Sequence, residues 1–144
     1  MPMKRLEHLR GISDEECSRL RSAGVMNTNQ LLHATTLVVS RERLSRQTGI
    51  SPRRLLALGQ QASLLEISGM SRHLAVVLRL GISTVEDLKT SDPAELHAKL
   101  LEAEGYGAPA PSEVEYWIGQ ARCLDVVELG EETRADRLRH WVPR

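Results

Sequence analysis

Leu9-Arg10-Gly11-Ile12-Ser13 and Ile67-Ser68-Gly69-Met70-Ser71 share one pattern: an apolar residue, a polar residue, glycine, an apolar residue and serine. Each stretch precedes a helical run that ends in a glycine flanked by apolar residues, in Ala23-Gly24-Val25 and in Leu80-Gly81-Ile82. Self-similarity at a fixed period is typical of chains built from repeated supersecondary units. The two stretches therefore predict a duplicated array of short helices.

The helix ends carry clear local signals. Ser, Thr, Asn and Asp are expected to begin helices because their side chains accept hydrogen bonds from the free amides of a first turn. The predicted N-caps are Ser13, Asn27, Ser51, Ser71, Thr84, Asp92 and Ser112. The glycines expected to end helices in the left-handed conformation are Gly11, Gly24, Gly49, Gly69 and Gly81. Apolar residues recur at helical spacing in between, so the sequence predicts an all-α fold of about ten short helices.

The two halves also resemble each other at their ends. Leu58-Gly59-Gln60-Gln61 aligns with Ile118-Gly119-Gln120-Ala121. No linker composition separates the halves, so we expect them to pack together. The predicted organisation is a first unit over residues 1–66, a second unit over residues 67–127 and a tail helix over residues 128–144. The Gly- and Pro-rich insert at residues 105–111 is predicted to be an exposed loop.

The charge is distributed unevenly along the chain. The 19 basic and 19 acidic side chains balance overall. Residues 1–60 carry ten basic and five acidic side chains, a balance of +5, so residues 61–144 carry −5. This asymmetry indicates an anionic partner for the first half, or attraction between the halves or between two copies. A chain without net positive charge is nevertheless a poor candidate for a dedicated nucleic-acid binder.

Residues that could carry catalysis or bind a metal are scattered. Cys17 and Cys123 have no ligand spacing and lie among small and apolar residues, which predicts buried, reduced thiols. The five histidines form no paired spacing on one helix, and most are expected at the surface. No run is apolar enough to span a bilayer, so a cytoplasmic location is the default expectation. The sequence predicts a non-enzymatic protein with no cofactor, no metal and no membrane partner.

The glycine-led turns resemble helix-hairpin-helix motifs. Gly11-Ile12-Ser13, Gly49-Ile50-Ser51 and Gly69-Met70-Ser71 each place glycine, an apolar residue and a small residue before a predicted helix with apolar positions. We call them the first, second and third turns.

Longer segments extend this resemblance. Residues 20–31 together with residues 49–62 are similar to the N-terminal helical domain of RecA-like recombinases of archaea and eukaryotes. Residues 77–88 are similar to the C-terminal domain of the RNA polymerase alpha subunit. Over about residues 5–127 the layout most resembles a bacterial domain-of-unknown-function family of paired helix-hairpin-helix units.

The resemblance implies that a turn and the following helix N-terminus can hold a phosphate. Unpaired amides and the positive end of the helix dipole converge on one anion there. The second turn is the strongest candidate, because Arg53 and Arg54 follow it, whereas Asp14 to Glu16 follow the first turn. The residues expected to contact duplex DNA are Gly49, Ile50, Ser51, Arg53, Arg54, Arg41, Arg43 and Arg46, with Arg72 after the third turn. Such binding would tolerate any base sequence and weaken with salt.

Protein binding is the competing interpretation, and it does not require a basic chain. Complementary charge on the two halves could orient a partner or pair two copies head to tail. The expected contact residues are Tyr116, Leu138 and Trp141, whereas Trp117 falls on a buried helical stripe. The sequence thus predicts a protein-interaction or self-associating module with an unknown partner, and duplex DNA binding as the alternative.

Overall fold

The fold is all-α, as the sequence predicts. The computed structural model describes residues 4–124, which form eight α-helices, six of them of seven residues or more, two 3₁₀ helices and no strand. In chain order they are a 3₁₀ helix at Leu6–His8, α1 (Asp14–Ser22), α2 (Thr28–Thr35), α3 (Val38–Thr48), α4 (Pro52–Leu64), α5 (Leu74–Arg79), α6 (Val85–Lys89), α7 (Pro93–Glu104), a 3₁₀ helix at Gly105–Gly107 and α8 (Pro111–Cys123). The tail helix predicted over residues 128–144 lies outside the described residues.

Side-chain caps begin most helices where the sequence places them. At α1, Ser13 Oγ accepts a hydrogen bond from Glu16 N at 3.0 Å, and Glu16 Oε1 accepts one from Ser13 N at 3.0 Å. This reciprocal pair satisfies two amides that the helix itself leaves free. The other side-chain caps are Asn27 at α2, Ser51 at α4, Thr84 at α6 and Asp92 at α7.

Two predicted caps are wrong. Ser71 lies in a turn closed by a hydrogen bond from His73 N to Met70 O at 2.9 Å, and α5 begins only after that turn. Ser112 lies inside α8, because Pro111 already occupies the first helical position. Proline suits that position since its missing N–H would have no partner there.

The glycines at the helix ends behave as the sequence predicts. Positive φ angles are found at Gly11 (76°), Gly24 (89°), Gly49 (76°), Gly69 (84°) and Gly81 (91°). Gly105 (φ 58°) is a further case, at the end of α7. The segment predicted as an exposed loop, residues 105–111, contains the 3₁₀ helix Gly105–Gly107 and the first residue of α8.

One continuous hydrophobic core runs through residues from both predicted halves. α2 packs on α3 and α4, α8 packs on α6 and α7, and α4 contacts α6 across the halves. Asn29 Nδ2 also donates a hydrogen bond to Glu66 Oε1 at 2.8 Å, which joins α2 to the segment after α4. The halves pack together as expected, while the boundary between residues 66 and 67 stays a prediction.

The helix that closes each half reaches back to the turn that opens it. In the first half, Gln61 Oε1 accepts a hydrogen bond from Arg10 N at 2.7 Å, and Gln61 Nε2 donates to Arg10 O at 3.1 Å. In the second half, Gln120 Oε1 accepts from Ser68 N at 3.0 Å. Gln61 therefore corresponds to Gln120, which shifts the sequence alignment of Gln60 with Gln120 by one residue.

Burial explains the shifted alignment. Both closing helices begin with proline, and their buried positions match from that point: Leu55 with Val114, Leu58 with Trp117, and Ala62 with Ala121. Sequence identity favours matching Gly59 with Gly119, but Gly59 is buried and Gly119 is exposed with open space around it. Contact with the core, not residue identity, decides which positions are equivalent.

Candidate functional site

Two of the three backbone amides of the second turn donate hydrogen bonds within the protein. Gly49 N donates to Ser45 O at 2.8 Å where α3 ends, and Ile50 N donates to Thr48 Oγ1 at 3.2 Å. Ile50 is also buried. A phosphate would have to displace both hydrogen bonds, at the cost of breaking satisfied polar contacts. Of the three amides of the predicted cradle, only that of Ser51 has no such hydrogen bond in residues 4–124, so the cradle stays a prediction that these contacts disfavour.

Arg54 is bound inside the protein. Its Nε donates to Glu16 Oε2 at 2.9 Å, and its Nη2 donates to Glu16 Oε1 at 3.1 Å and to Gly11 O at 2.7 Å. These hydrogen bonds lower the pKa of Glu16 to about 2 and raise the pKa of Arg54. Contact of Arg54 with DNA stays a prediction that these partners disfavour, since its guanidinium already binds a carboxylate and a carbonyl.

The Glu16–Arg54 pair should make stability depend on pH in acid. The pKa of Glu16 falls from 4.5 to about 2 on folding, so the stabilisation is present above about pH 4.5 and is lost as the pH falls towards about 2. Because the pair is partly exposed, we expect Glu16→Gln to lower the free energy of unfolding by about 1 kcal/mol near neutral pH.

Urea unfolding of both proteins, followed by circular dichroism at neutral pH and at about pH 3, measures this difference. The gap between wild type and Glu16→Gln should shrink at the lower pH, since Glu16 of the unfolded wild type, with its ordinary pKa of 4.5, then binds a proton that the folded protein largely does not. Glu115→Gln, at an exposed position of α8, is the matched control and should have no effect. A difference in stability of equal size at both pH values would contradict the low pKa of Glu16 in the folded protein.

The remaining arginines of the predicted site divide into two groups. Arg41 belongs to the fold: it is 3% exposed, and its Nη1 donates to Thr35 O at 2.8 Å. Contact of Arg41 with DNA stays a prediction that its buried position disfavours. Arg43, Arg46 and Arg53 are exposed, and within residues 4–124 their side chains have no hydrogen bond or ion pair. We call these three the α3–α4 arginines, because they are the part of the predicted site that remains accessible.

Arg19 is a positioning residue that sequence reasoning missed. Its Nη1 donates to Thr48 O at 3.4 Å, and its Nη2 pairs with Glu15. Arg19 of α1 thus holds the end of α3, while Arg54 of α4 holds the first turn. No residue spacing along the chain could have shown this, because it depends on α1 packing beside α3.

A second group of exposed residues surrounds the connection between α7 and α8. Leu101 is 50% exposed near the end of α7, Tyr106 is fully exposed in the 3₁₀ helix, and Tyr116 is 60% exposed in α8. We call these three residues the α7–α8 edge. The sequence singled out Tyr116 alone among them. Of the other predicted contact residues, Leu138 and Trp141 lie outside the described residues.

A buried histidine follows the third turn, whereas most of the histidines are expected at the surface. His73 is 6% exposed, and its Nδ1 lies 3.0 and 3.1 Å from the two carboxylate oxygens of Glu104. Its ring also contacts Trp117, with the ring centres 5.3 Å apart. Trp117 is fully buried, as its helical spacing predicts. Arg72, next to the histidine, is exposed and stays a predicted DNA contact.

The two cysteines differ, whereas the sequence predicted both to be buried. Cys17 is buried, and burial raises the pKa of its thiol. Cys123 is exposed, because it lies on α8 away from the stripe that packs into the core. In the part of the chain that the structure describes, no group of three or more His, Cys, Asp or Glu side chains could hold a metal ion. No helix there is long and apolar enough to cross a bilayer.

Comparison with known proteins gives one match. The sequence model of a family described as "Domain of unknown function (DUF4332)" matches residues 10–124. This segment covers α1 to α8, including all three turns and the α7–α8 edge. No curated protein and no solved structure matches the chain.

Proposed function

Since the chain belongs to the DUF4332 family, whose description names no activity, we propose a function from its own surface: it is a non-enzymatic module that binds proteins through the α7–α8 edge. We propose that it works without a cofactor. The observation that supports the proposal is that three exposed large apolar side chains lie within 16 residues of each other along the chain, in or beside one helix connection.

This clustering is specific within residues 4–124. The large apolar side chains that are exposed there are Met26, Val39, Leu101, Tyr106 and Tyr116. Three of the five lie in or beside the α7–α8 connection: Leu101 is less than one turn from the end of α7, and Tyr116 is five residues into α8. Tyrosines with exposed rings are enriched at the energetic centres of protein interfaces. A cluster of this kind is more typical of a binding surface than single exposed residues are.

We also propose that the three turns are helix-hairpin-helix motifs within a duplicated unit. Each of the three turns carries a glycine with positive φ between helices. In both halves a glutamine of the closing helix binds the backbone of the opening turn. These repeated contacts support a duplicated unit in which the turns serve mainly to position helices.

Sequence-nonspecific DNA binding is the second candidate. It is favoured by the α3–α4 arginines, which are exposed and have no partner in the described part of the chain. Arginine can bind a phosphate through two hydrogen bonds. In this alternative the side chains of Arg43, Arg46 and Arg53 make the contacts, because Gly49 and Ile50 have already committed their amides.

Affinity capture with a matched variant tests the proposed function. The wild-type chain and Tyr106→Ser/Tyr116→Ser are immobilised and exposed to nuclease-treated lysate of the source organism. We expect a specific protein to be retained by the wild type and reduced at least tenfold by the variant, because aromatic anchors dominate interface energies. Met26→Ser removes an exposed apolar side chain from the first half and should retain that protein.

The same proteins are titrated with labelled duplex DNA at low and moderate salt. We expect no salt-dependent binding. Retention of the same proteins by all three chains would contradict the α7–α8 edge as a binding surface. Salt-dependent DNA binding that is lost in Arg46→Glu/Arg53→Glu would favour the second candidate instead.

A further inference from the structure

A groove of about 200 Å³ lies between the α5–α6 connection and the start of α7. Its apolar residues are Leu80, Ile82 and Leu96, and its charged residues are Asp92, Glu95 and Lys99. Ile82 and Leu96 are buried, so they form an apolar floor, whereas Asp92 and Glu95 are exposed. We call this feature the α7 groove. An apolar floor beside acidic groups suits a side chain with an apolar stem and a cationic end.

The first half presents side chains of that kind. The α3–α4 arginines are exposed and have no hydrogen-bond or ion-pair partner in residues 4–124. Arg53 lines a recess that also contains Glu42, so one acid lies among these bases. The α7 groove has the opposite arrangement, with two acids and one base, Lys99. The surface of the α3–α4 arginines is mainly positive and the α7 groove is mainly negative, so the two surfaces are complementary in charge.

We propose that the α7 groove of one molecule receives the α3–α4 arginines of a second copy, so that the chain associates head to tail. This inference rests on the proposed protein-binding function and names the partner. Arg53 and Arg46 place their guanidinium groups against Asp92 and Glu95. Their stems cover the apolar floor of the groove.

The α7 groove and the α7–α8 edge are different surfaces. Glu95 and Lys99 line the groove on one side of α7, whereas Leu101 is two residues beyond Lys99 and therefore about 200° further around the helix. In the head-to-tail contact the apolar floor supplies burial, while the charged groups supply orientation and a faster encounter.

Head-to-tail association has a consequence that a symmetric dimer does not have. The two contacting surfaces are different, so each bound pair retains one free groove and one free set of arginines. Association therefore continues to larger species as concentration rises. Blocking a single surface on every molecule stops it completely.

Light scattering of the full chain at several salt concentrations tests the proposal. The wild-type mass should exceed the monomer value of 16.1 kDa at low salt, and the apparent affinity should fall at least tenfold at high salt because salt screens exposed charges. Asp92→Asn/Glu95→Lys should be monomeric, and asparagine still caps α7. The control Glu86→Lys/Glu115→Gln changes net charge equally, at exposed positions outside the groove, and should still associate.

A mixing experiment separates head-to-tail contact from other modes. Arg46→Glu/Arg53→Glu lacks the arginine surface and retains the groove, whereas Asp92→Asn/Glu95→Lys lacks the groove and retains the arginines. Each should be monomeric alone, and their equimolar mixture should associate, because the groove that one variant retains can receive the arginines that the other retains. Circular dichroism of each variant should match the wild type, which excludes loss of folding as the cause.

The outcomes distinguish the inference from the proposed function. A wild-type chain that stays monomeric at every salt concentration overturns the inference, while captured proteins that depend on Tyr106 and Tyr116 would still support the proposed function. A mixture that remains monomeric, or variants that associate like the wild type, also overturn it. Self-association that persists in Tyr106→Ser/Tyr116→Ser but is lost in both charge variants supports the inference. It also shows that the α7–α8 edge is not part of the contact between copies.

Discussion

Replacing Trp117 by alanine should lower the free energy of unfolding by about 3–5 kcal/mol, the cost typical of removing a large aromatic side chain from a core. Trp117 is fully buried in α8, where its ring contacts His73. The cavity would lie where α8 packs on α6 and α7. Since whole domains are stable by about 5–15 kcal/mol, this loss is a large part of the total. Urea unfolding followed by circular dichroism measures it.

Trp117→Phe is the matched control for this substitution. The indole nitrogen of Trp117 is buried and has no hydrogen-bond partner in residues 4–124. Phenylalanine therefore retains much of the apolar contact without losing a hydrogen bond, and it should cost less than half as much as alanine. Leu58→Ala, at the corresponding position of α4, should cost about 2–5 kcal/mol. Equal costs for Trp117→Phe and Trp117→Ala would contradict this explanation. The loss of stability would then not come from burial of the aromatic ring.

Gly69→Ala should be the most costly glycine substitution in the turns, at about 2–3 kcal/mol. Gly69 has φ 84°, a conformation that costs any L-residue roughly 1–2 kcal/mol. A Cβ atom there would also lie 3.2 Å from Glu113 Oε1 and 3.3 Å from Trp117 Nε1. The flexible end of Glu113 can move aside, but the packed ring of Trp117 cannot.

Gly24→Ala separates the two contributions to this cost. Gly24 has a similar φ of 89°, yet a Cβ atom there would meet nothing within 4 Å. Its replacement should therefore cost only the conformational part, about 1–2 kcal/mol. Urea unfolding of both variants gives the comparison. If Gly24→Ala is as destabilising as Gly69→Ala, crowding against Trp117 is not a cause.

Local signals predict most of the helix ends. Ser13, Asn27 and Asp92 cap helices as expected, and the five end glycines are left-handed. Such signals work because a cap or a left-handed turn involves residues within about four positions of each other. They fail at Ser71, where a tight turn intervenes before α5, and at Ser112, where proline is the stronger start.

The partners of charged side chains could not be predicted in the same way. The sequence placed Arg54 in a phosphate site because it follows the second turn, but Glu16, far away along the chain, is its partner. Arg41 looked accessible and is buried against Thr35. In each case the contact exists only because two helices pack together, and it occupies hydrogen-bond donors that would otherwise face solvent.

The sequence by itself determined an all-α chain, the ends of most of its helices and the burial of Trp117, since these follow from short-range hydrogen bonding and from apolar spacing along one helix. Only the tertiary structure decided which arginines have no partner in residues 4–124, which glutamines bind the opening turns and how exposed each tyrosine is. Those properties depend on contacts between residues far apart in the chain, and packing of the whole core sets them.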